Sequence, residues 1–561
     1  MKHPISVLLI ILLSSSLLIA DESQFMKDLV KAFPDMVQFQ KYANDYCSLT
    51  PYFRCDYERN KIRSIHFYHV ESLSGKLPDS ISTLDSLETL TIISCPVEME
   101  LDFVNSLENL KEITLENVKI KGPVPRFNKN TKLRYLSISH NNLEGRVPTF
   151  SENTELEYID VSSNKLEGYI PTFFYNTALI SVNFSNNLFV DNMPNFERNT
   201  QLVKLDLSNN RLEGYIPSFN KTTQLKHLDL SNNSFIGNIP TLTNNLALRN
   251  LCLSSNNFEG YMPLFDKHIE LMHINLSNNS FTGNMPSLSG NVKLIKIDFS
   301  NNKLYGFMPL FDKHIELKYL HLSNNSFVGN IPNFVKNIKL SVLDLSNNYL
   351  EGHTPSFSRN TQLEHLDLSG NSFIGRVPSL NSNTILKNLD LSNNKYSGHI
   401  PRFDNNVMLS ALDLSDNKLI GNIPSFDKNT ELKYIYLSNN KLSGKVPSFG
   451  KNMELIKIDL SNNILDGDSP NFGKHTQLTY LNLLNNSIAG EVLIYNRNVE
   501  LIKLNKYLEP ILKNVNSPVK KEILNNVLGY SYSKLLSTLF PEDELVEGKK
   551  ESFIPPYMRN S

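Results

Sequence analysis

Leu202 to Phe219 read LVKLDLSNNRLEGYIPSF. Leu205 and Leu207 alternate with Lys204, Asp206 and Ser208, the period-two pattern of a strand with one buried face. Asn210 follows where the chain must turn from that strand into the interior. Its amide can donate and accept, so it can serve backbone groups that leave the ladder, each costing about 1–3 kcal/mol if buried without a partner. Gly214 supplies the backbone freedom of a sharp bend, Pro217 stiffens the return, and Phe219 opens a second apolar register.

The unit recurs without a slip in both directions. Asn141, Asn164, Asn187 and Asn210 begin a series that continues every 23 residues to Asn486. Phe127, Phe150, Phe173, Phe196 and Phe219 hold a second series that runs to Phe472, with Leu242, Leu288 and Leu380 filling it in places. Three looser units precede, with strands expected near Ile65, Leu90 and Ile113, and there Val70, Cys95 and Val118 stand in the asparagine place. MPLFDKHIEL occurs at Met262–Leu271 and again at Met308–Leu317, which marks duplication of paired units.

In length and order the unit resembles the leucine-rich repeat, L-x-x-L-x-L-x-x-N-x-L. The Gly-x-Ile-Pro ending at Gly237–Pro240 and Gly421–Pro424 resembles the plant-specific class found in plant receptor ectodomains and polygalacturonase-inhibiting proteins. The resemblance implies a leucine-rich-repeat solenoid: a curved right-handed coil with a parallel β-sheet on the concave face. The convex face would be mostly irregular, with short β or 3-10 segments, and both ends would be capped. It also implies a secreted protein that binds by recognition or inhibition.

The chain has 561 residues, and 55 Lys+Arg against 57 Asp+Glu leave a net charge of −2. No basic run with interleaved aromatics points to nucleic acid. Met1, Lys2 and His3 precede an apolar stretch over residues 5–20, the order of a secretory leader cut after Ala20. That stretch falls short of the ~20 residues a membrane span needs. The expected organisation is a leader over 1–20, an N-terminal cap over 21–60, and an array of about nineteen repeats over 61–505. A helical C-terminal cap over 506–540, built on Ser517, Pro518 and Glu522, and a loose tail over 541–561 complete it.

A solenoid exposes apolar core at its ends, so the cap matters. Ser23 is expected to cap a short helix carrying Phe25, Leu29, Val30 and Phe33. Cys47 and Cys55 are expected to form a disulfide in an oxidising compartment. Cys95 should be a buried thiol, and Cys252, on the inner wall, an inert thiol or a site of intermolecular linkage.

Two inner-wall columns lie between the buried leucines. One is monotonous, with Asp160, Asp206, Asp229, Asp298, Asp344, Asp367, Asp390, Asp413 and Asp459 most of the way, and reads as a solvated acidic veneer. Parallel carboxylates without further oxygen donors do not make a calcium site, and no metal or cofactor is expected. The other is varied. Tyr135, Tyr158, Lys204, His227, His273, Lys296, Tyr319, His365, Tyr434, Lys457 and Tyr480, with Tyr436 beside them, are the candidate partner contacts, because tyrosine supplies area and a hydrogen bond at little ordering cost.

Asn183, Asn220, Asn232, Asn275, Asn278, Asn324 and Asn485 stand in N-x-S/T sequences and are candidate glycosylation sites. Catalysis is not expected, since H-E-x-x-H, G-x-S-x-G and P-loop motifs are absent. The expected role is binding an extracellular protein or polysaccharide-associated protein through the concave face. The alternatives are a structural or adhesive matrix or wall component and a receptor ectodomain.

Overall fold

A computed structural model describes residues 22–56, 61–468, 470–472, 474–489 and 500–502. The leader over 1–20, the cap over 506–540 and the tail over 541–561 lie outside these residues. The chain divides into two compact units, residues 1–372 and 373–561.

The first unit begins with a helix over residues 22–32, which buries Phe25, Met26 and Leu29 and leaves Val30 half-buried, and Phe33 just after it is buried as well. Ser23 therefore lies inside this helix instead of capping it. The first turn is held by Glu22, whose buried carboxylate meets the Lys61 ammonium at 3.3 Å. Cys47 and Cys55 form the expected disulfide, with Cα atoms 5.7 Å apart. Behind it, Phe39, Tyr52, Phe53 and Phe67 cluster with ring centroids 5.6–6.2 Å apart and close the end of the core. The strand Phe53–Asp56 runs antiparallel to Lys61–Tyr68, and from there every neighbour in the sheet is parallel.

Each later turn supplies three short segments. Lys204–Asp206 pairs in parallel with His227–Asp229, placing Leu205 opposite Leu228 in the core and Lys204 opposite His227 outside. Arg211–Gly214 then pairs with Ser234–Gly237 in a second parallel sheet. The chain returns through Phe219, and Phe150, Phe173 and Phe196 stack along this return with centroids 6.2 and 5.9 Å apart. The irregular early turns carry 3-10 helices instead, Asp79–Thr83 and Asp102–Ser106.

The asparagine ladder is structural. Asn209 takes a left-handed φ of 55° and aims Asn210 inward. The Asn210 amide donates to the carbonyls of Phe184, Leu207 and Ser208 at 3.0–3.2 Å, and its Oδ1 accepts from the Phe189 N–H at 3.1 Å. In the looser turns Cys95 substitutes: its buried sulfur accepts from the Val70 N–H and the thiol donates to the Ile93 carbonyl, each at 3.4 Å.

A second buried ladder runs beside the phenylalanines. Asn199 donates to the carbonyls of Phe173 and Asn176 at 3.1 and 2.8 Å, and Asn153 and Asn176 repeat the pattern. His268 and His314, from the duplicated stretch, occupy this ladder. Their Nε2 atoms sit 2.9 and 3.0 Å from the carbonyls of Leu242 and Leu288 and their Nδ1 atoms 3.2 and 3.3 Å from those of Phe265 and Phe311; the shorter Nε2 contacts put a donated N–H on that side.

The second unit repeats the plan. Asn388–Asp390, Ala411–Asp413, Tyr434–Tyr436, Lys457–Asp459, Tyr480–Asn482 and Glu500–Ile502 form a parallel sheet. Phe403, Phe426, Phe449 and Phe472 stack at 5.9–6.4 Å.

Candidate binding surface

Strand register decides which side chains are neighbours. In the first unit Tyr135, Tyr158, Ser181, Lys204, His227 and Asn250 lie directly opposite one another in sequence, and the column continues through His273, Lys296, Tyr319, Val342 and His365. In the second unit Asn388, Ala411, Tyr434, Lys457 and Tyr480 form the equivalent column. Every candidate contact thus falls on one of two aligned rows, with Tyr436 in the neighbouring row between Asp413 and Asp459.

The Tyr135 and Tyr158 rings meet at 5.4 Å, and Tyr158 and Tyr319 are each 38% exposed, enough to offer a ring face to a partner. His273 Nδ1 lies 3.0 Å from Asn250 Oδ1. Burial lowers the pKa of His227, as do the Lys204 and Arg249 charges beside it, and burial with Lys296 does the same to His273. Both imidazoles are therefore biased toward the neutral form.

The second column is not the solvated veneer that alternation suggests. Its carboxylates are half-buried or buried and already engaged. Asp206 Oδ1 accepts from the Ser208 N–H and hydroxyl at 3.1 and 2.7 Å, and Asp229, Asp367, Asp413 and Asp459 treat the serine two residues on likewise. The aspartates set the turn that follows the strand. Burial raises the Asp229 pKa; at Asp344 burial also pushes upward, but the His321 ring 3.9 Å away and the two Ser346 hydrogen bonds together outweigh it and lower the pKa. Among the described residues no group of three or more His, Cys, Asp or Glu is placed to hold a metal ion.

Asp413 is the extreme case, its carboxyl pushed up to about 6 by burial against the restraining Ser415 bonds. A raised acid pKa contributes stability below the unfolded value of about 3.9, and that stability is lost as pH rises through about 6. Asn183, Asn275 and Asn482 occupy the same repeat position in other turns, so an amide fits there. Asp413→Asn is expected to stabilise the second unit by about 1–2 kcal/mol at pH 7 and by little at pH 4. Denaturant unfolding at the two pH values measures this, and equal shifts at both would refute it.

The first sheet is not featureless. Lys204, Asp206, His227, Asp229, Asn250 and Cys252 border a shallow depression of about 330 Å³. Cys252 is half-buried with its sulfur 3.5 Å from the Ser254 hydroxyl, and burial beside Asp229 raises its pKa, which disfavours the thiolate.

The sequons divide by placement. Asn183 and Asn275 lie in the second column with Oδ1 accepting from Ser185 and Ser277, and the Asn183 amide donates to Asp160 at 2.8 Å. Asn220, Asn232, Asn278, Asn324 and Asn485 are exposed, the last four with left-handed φ of 52–54°.

The comparisons agree with this geometry. The family model Leucine Rich Repeat matches residues 132–153, 155–177, 270–292, 316–338, 339–360, 362–383 and 431–453, and the model Leucine Rich repeats (2 copies) matches 200–244. The fold is a leucine-rich-repeat solenoid. A plant peptide hormone receptor, RGFR1 in complex with RGF2, is similar at 28% identity and a TM-score of 0.72, over 78% of this chain and 74% of that one. The Arabidopsis receptor kinase HAESA ectodomain with an extended IDA peptide is 28% identical at a TM-score of 0.70, over 84% and 86% of the two chains. HAESA with IDA and the co-receptor SERK1 gives 27% and 0.68, over 86% and 93%. A comparison with curated proteins finds no match. Among the described residues no helix is long and apolar enough to cross a membrane.

Proposed function

We propose that this chain is a secreted protein of the plant-specific repeat class that binds a peptide or an extended protein segment along the outward side of its first sheet, without catalysis. One observation carries the reading: a column of Tyr, His and Lys stands in register beside a column whose polar atoms are spent on its own turns. The first column varies more from turn to turn, while most places in the second keep an Asp or Asn bonded to the residues of its own turn. The similar receptor ectodomains were solved with peptide hormones, which supports a peptide or protein ligand here.

The partner is sought by passing extracellular fluid from the source tissue over immobilised protein and identifying what is retained. Alanine at Tyr135 and Tyr158 together, or at Tyr434 and Tyr480 together, is expected to weaken binding of that partner at least roughly ten-fold for one of the two pairs, about 1.4 kcal/mol. Unchanged affinity in both variants would place the interface elsewhere.

A further inference from the structure

The outer face of the second sheet alternates from turn to turn in a way the core does not require. Arg211 and Glu213 occupy one turn, Asn257 and Glu259 a later one. The turns that alternate with these present a neutral floor: Ser234 and Ile236, then Ser280 and Thr282, then Ser326 and Val328. At the far end of each neutral floor lies an aromatic ring from the preceding turn. Tyr215 covers Gly237, Tyr261 covers Gly283 and Phe307 covers Gly329, so closely that no Cβ would fit beneath them. These rings are 69, 73 and 76% exposed, a large apolar area left to water.

The same three turns begin with an acceptor sequence. Asn232, Asn278 and Asn324 are exposed, hold a left-handed φ that turns them outward, and sit 46 residues apart, each five residues before its ring-covered glycine. Five residues of strand span about 17 Å, within reach of a branched oligosaccharide. On the turn before Asn232, Arg211 replaces the required hydroxyl residue; on the two intervening turns Asn257 and Lys303 replace it, and Ser255 also takes the acceptor place of the first of them. The turn before the series keeps an apolar floor in Leu188 and Val190, but Leu188 removes the acceptor motif.

We propose that Asn232, Asn278 and Asn324 carry N-linked glycans whose inner sugars lie along the neutral second-sheet floor of their own turn and rest on Tyr215, Tyr261 and Phe307. The inference depends on the extracellular reading. The donor is a lipid-diphosphate-linked oligosaccharide: the asparagine Nδ2 bonds to the sugar C1, the C1–oxygen bond to the diphosphate breaks, the lipid diphosphate leaves, and the amide loses one proton. The apolar face of a sugar covers each ring, while the first-sheet columns stay open. Asn183 and Asn275 are expected bare, because both lie half-buried in the first sheet with Oδ1 held by the next serine, whereas Asn232, whose amide donates to Asn209 Oδ1 at 2.9 Å, Asn278 and Asn324 are exposed at their turns.

The full chain produced in a eukaryotic secretory host tests this by glycopeptide mass spectrometry. The expected result is occupancy at Asn232, Asn278 and Asn324 with Asn183 and Asn275 bare. A chain found in the medium with those three asparagines bare overturns this inference alone, and one that remains in the cytosol overturns the extracellular reading with it. In the triple variant Tyr215→Ala, Tyr261→Ala, Phe307→Ala, whose rings are exposed and not needed by the core, native enzymatic deglycosylation is expected to run roughly five-fold faster. Equal rates would show that the sugars do not rest on the rings.

Discussion

Replacing Asn256 by alanine should lower the stability of its region of the first unit by about 3–4 kcal/mol. The buried amide donates to the carbonyls of Leu230, Leu253 and Ser254 at 3.0–3.2 Å, and its Oδ1 accepts from the Phe235 N–H at 3.0 Å. Alanine leaves these groups without side-chain partners, and Asn256 is only 7% exposed, so little water enters to replace it. Each stranded group costs about 1–3 kcal/mol, and partial relaxation keeps the sum below the upper limit. Because stability in a repeat array is set by each turn and its neighbours, the loss is local. Hydrogen exchange at the Phe235 amide is expected to accelerate at least roughly a hundred-fold, with much smaller changes near the N-terminal cap. Unchanged exchange at Phe235 would remove the ladder from the account.

That ladder was legible because a 23-residue recurrence and strand alternation together leave one place for each side chain. The same arithmetic put Tyr135 beside Tyr158 and Tyr434 beside Lys457, and the register agrees. The second ladder escaped reading although its period is the same, since Asn153, Asn176 and Asn199 stand in polar stretches that look like surface loops. The signal that could have exposed it is the exchange of Asn for His at His268, His314 and His475, residues that share an N–H able to reach a carbonyl. The state of the aspartates was also hidden. Alternation says that Asp206 faces out, while its capture by Ser208 depends on the direction the backbone takes after the strand. The aromatic rings lying over Gly237 and Gly283 depend on contact between successive turns, which spacing within one turn does not encode.

Phe334→Ala tests the other half of the core. Its ring is fully buried and stacks between Phe311 and Phe357 at 6.0 and 6.4 Å. Truncation removes the transfer free energy of the ring and opens a cavity between two flat neighbours that cannot close without shifting two turns of backbone. The expected cost is about 3–5 kcal/mol. The backbone at this position is already committed, because Asn360 donates to the Phe334 carbonyl at 2.9 Å, so collapse into the void is resisted. Leucine should behave differently. Leu242, Leu288 and Leu380 occupy this register in their own turns and remain nearly fully buried, so Phe334→Leu is expected to cost about 1–1.5 kcal/mol. Denaturant unfolding of both variants separates two accounts of the stack: a cavity cost scales with the volume removed and spares leucine, whereas a requirement for ring-on-ring contact penalises leucine and alanine alike. The presence of leucine at three places in the series argues for volume, and a leucine variant as unstable as the alanine one would reverse that conclusion.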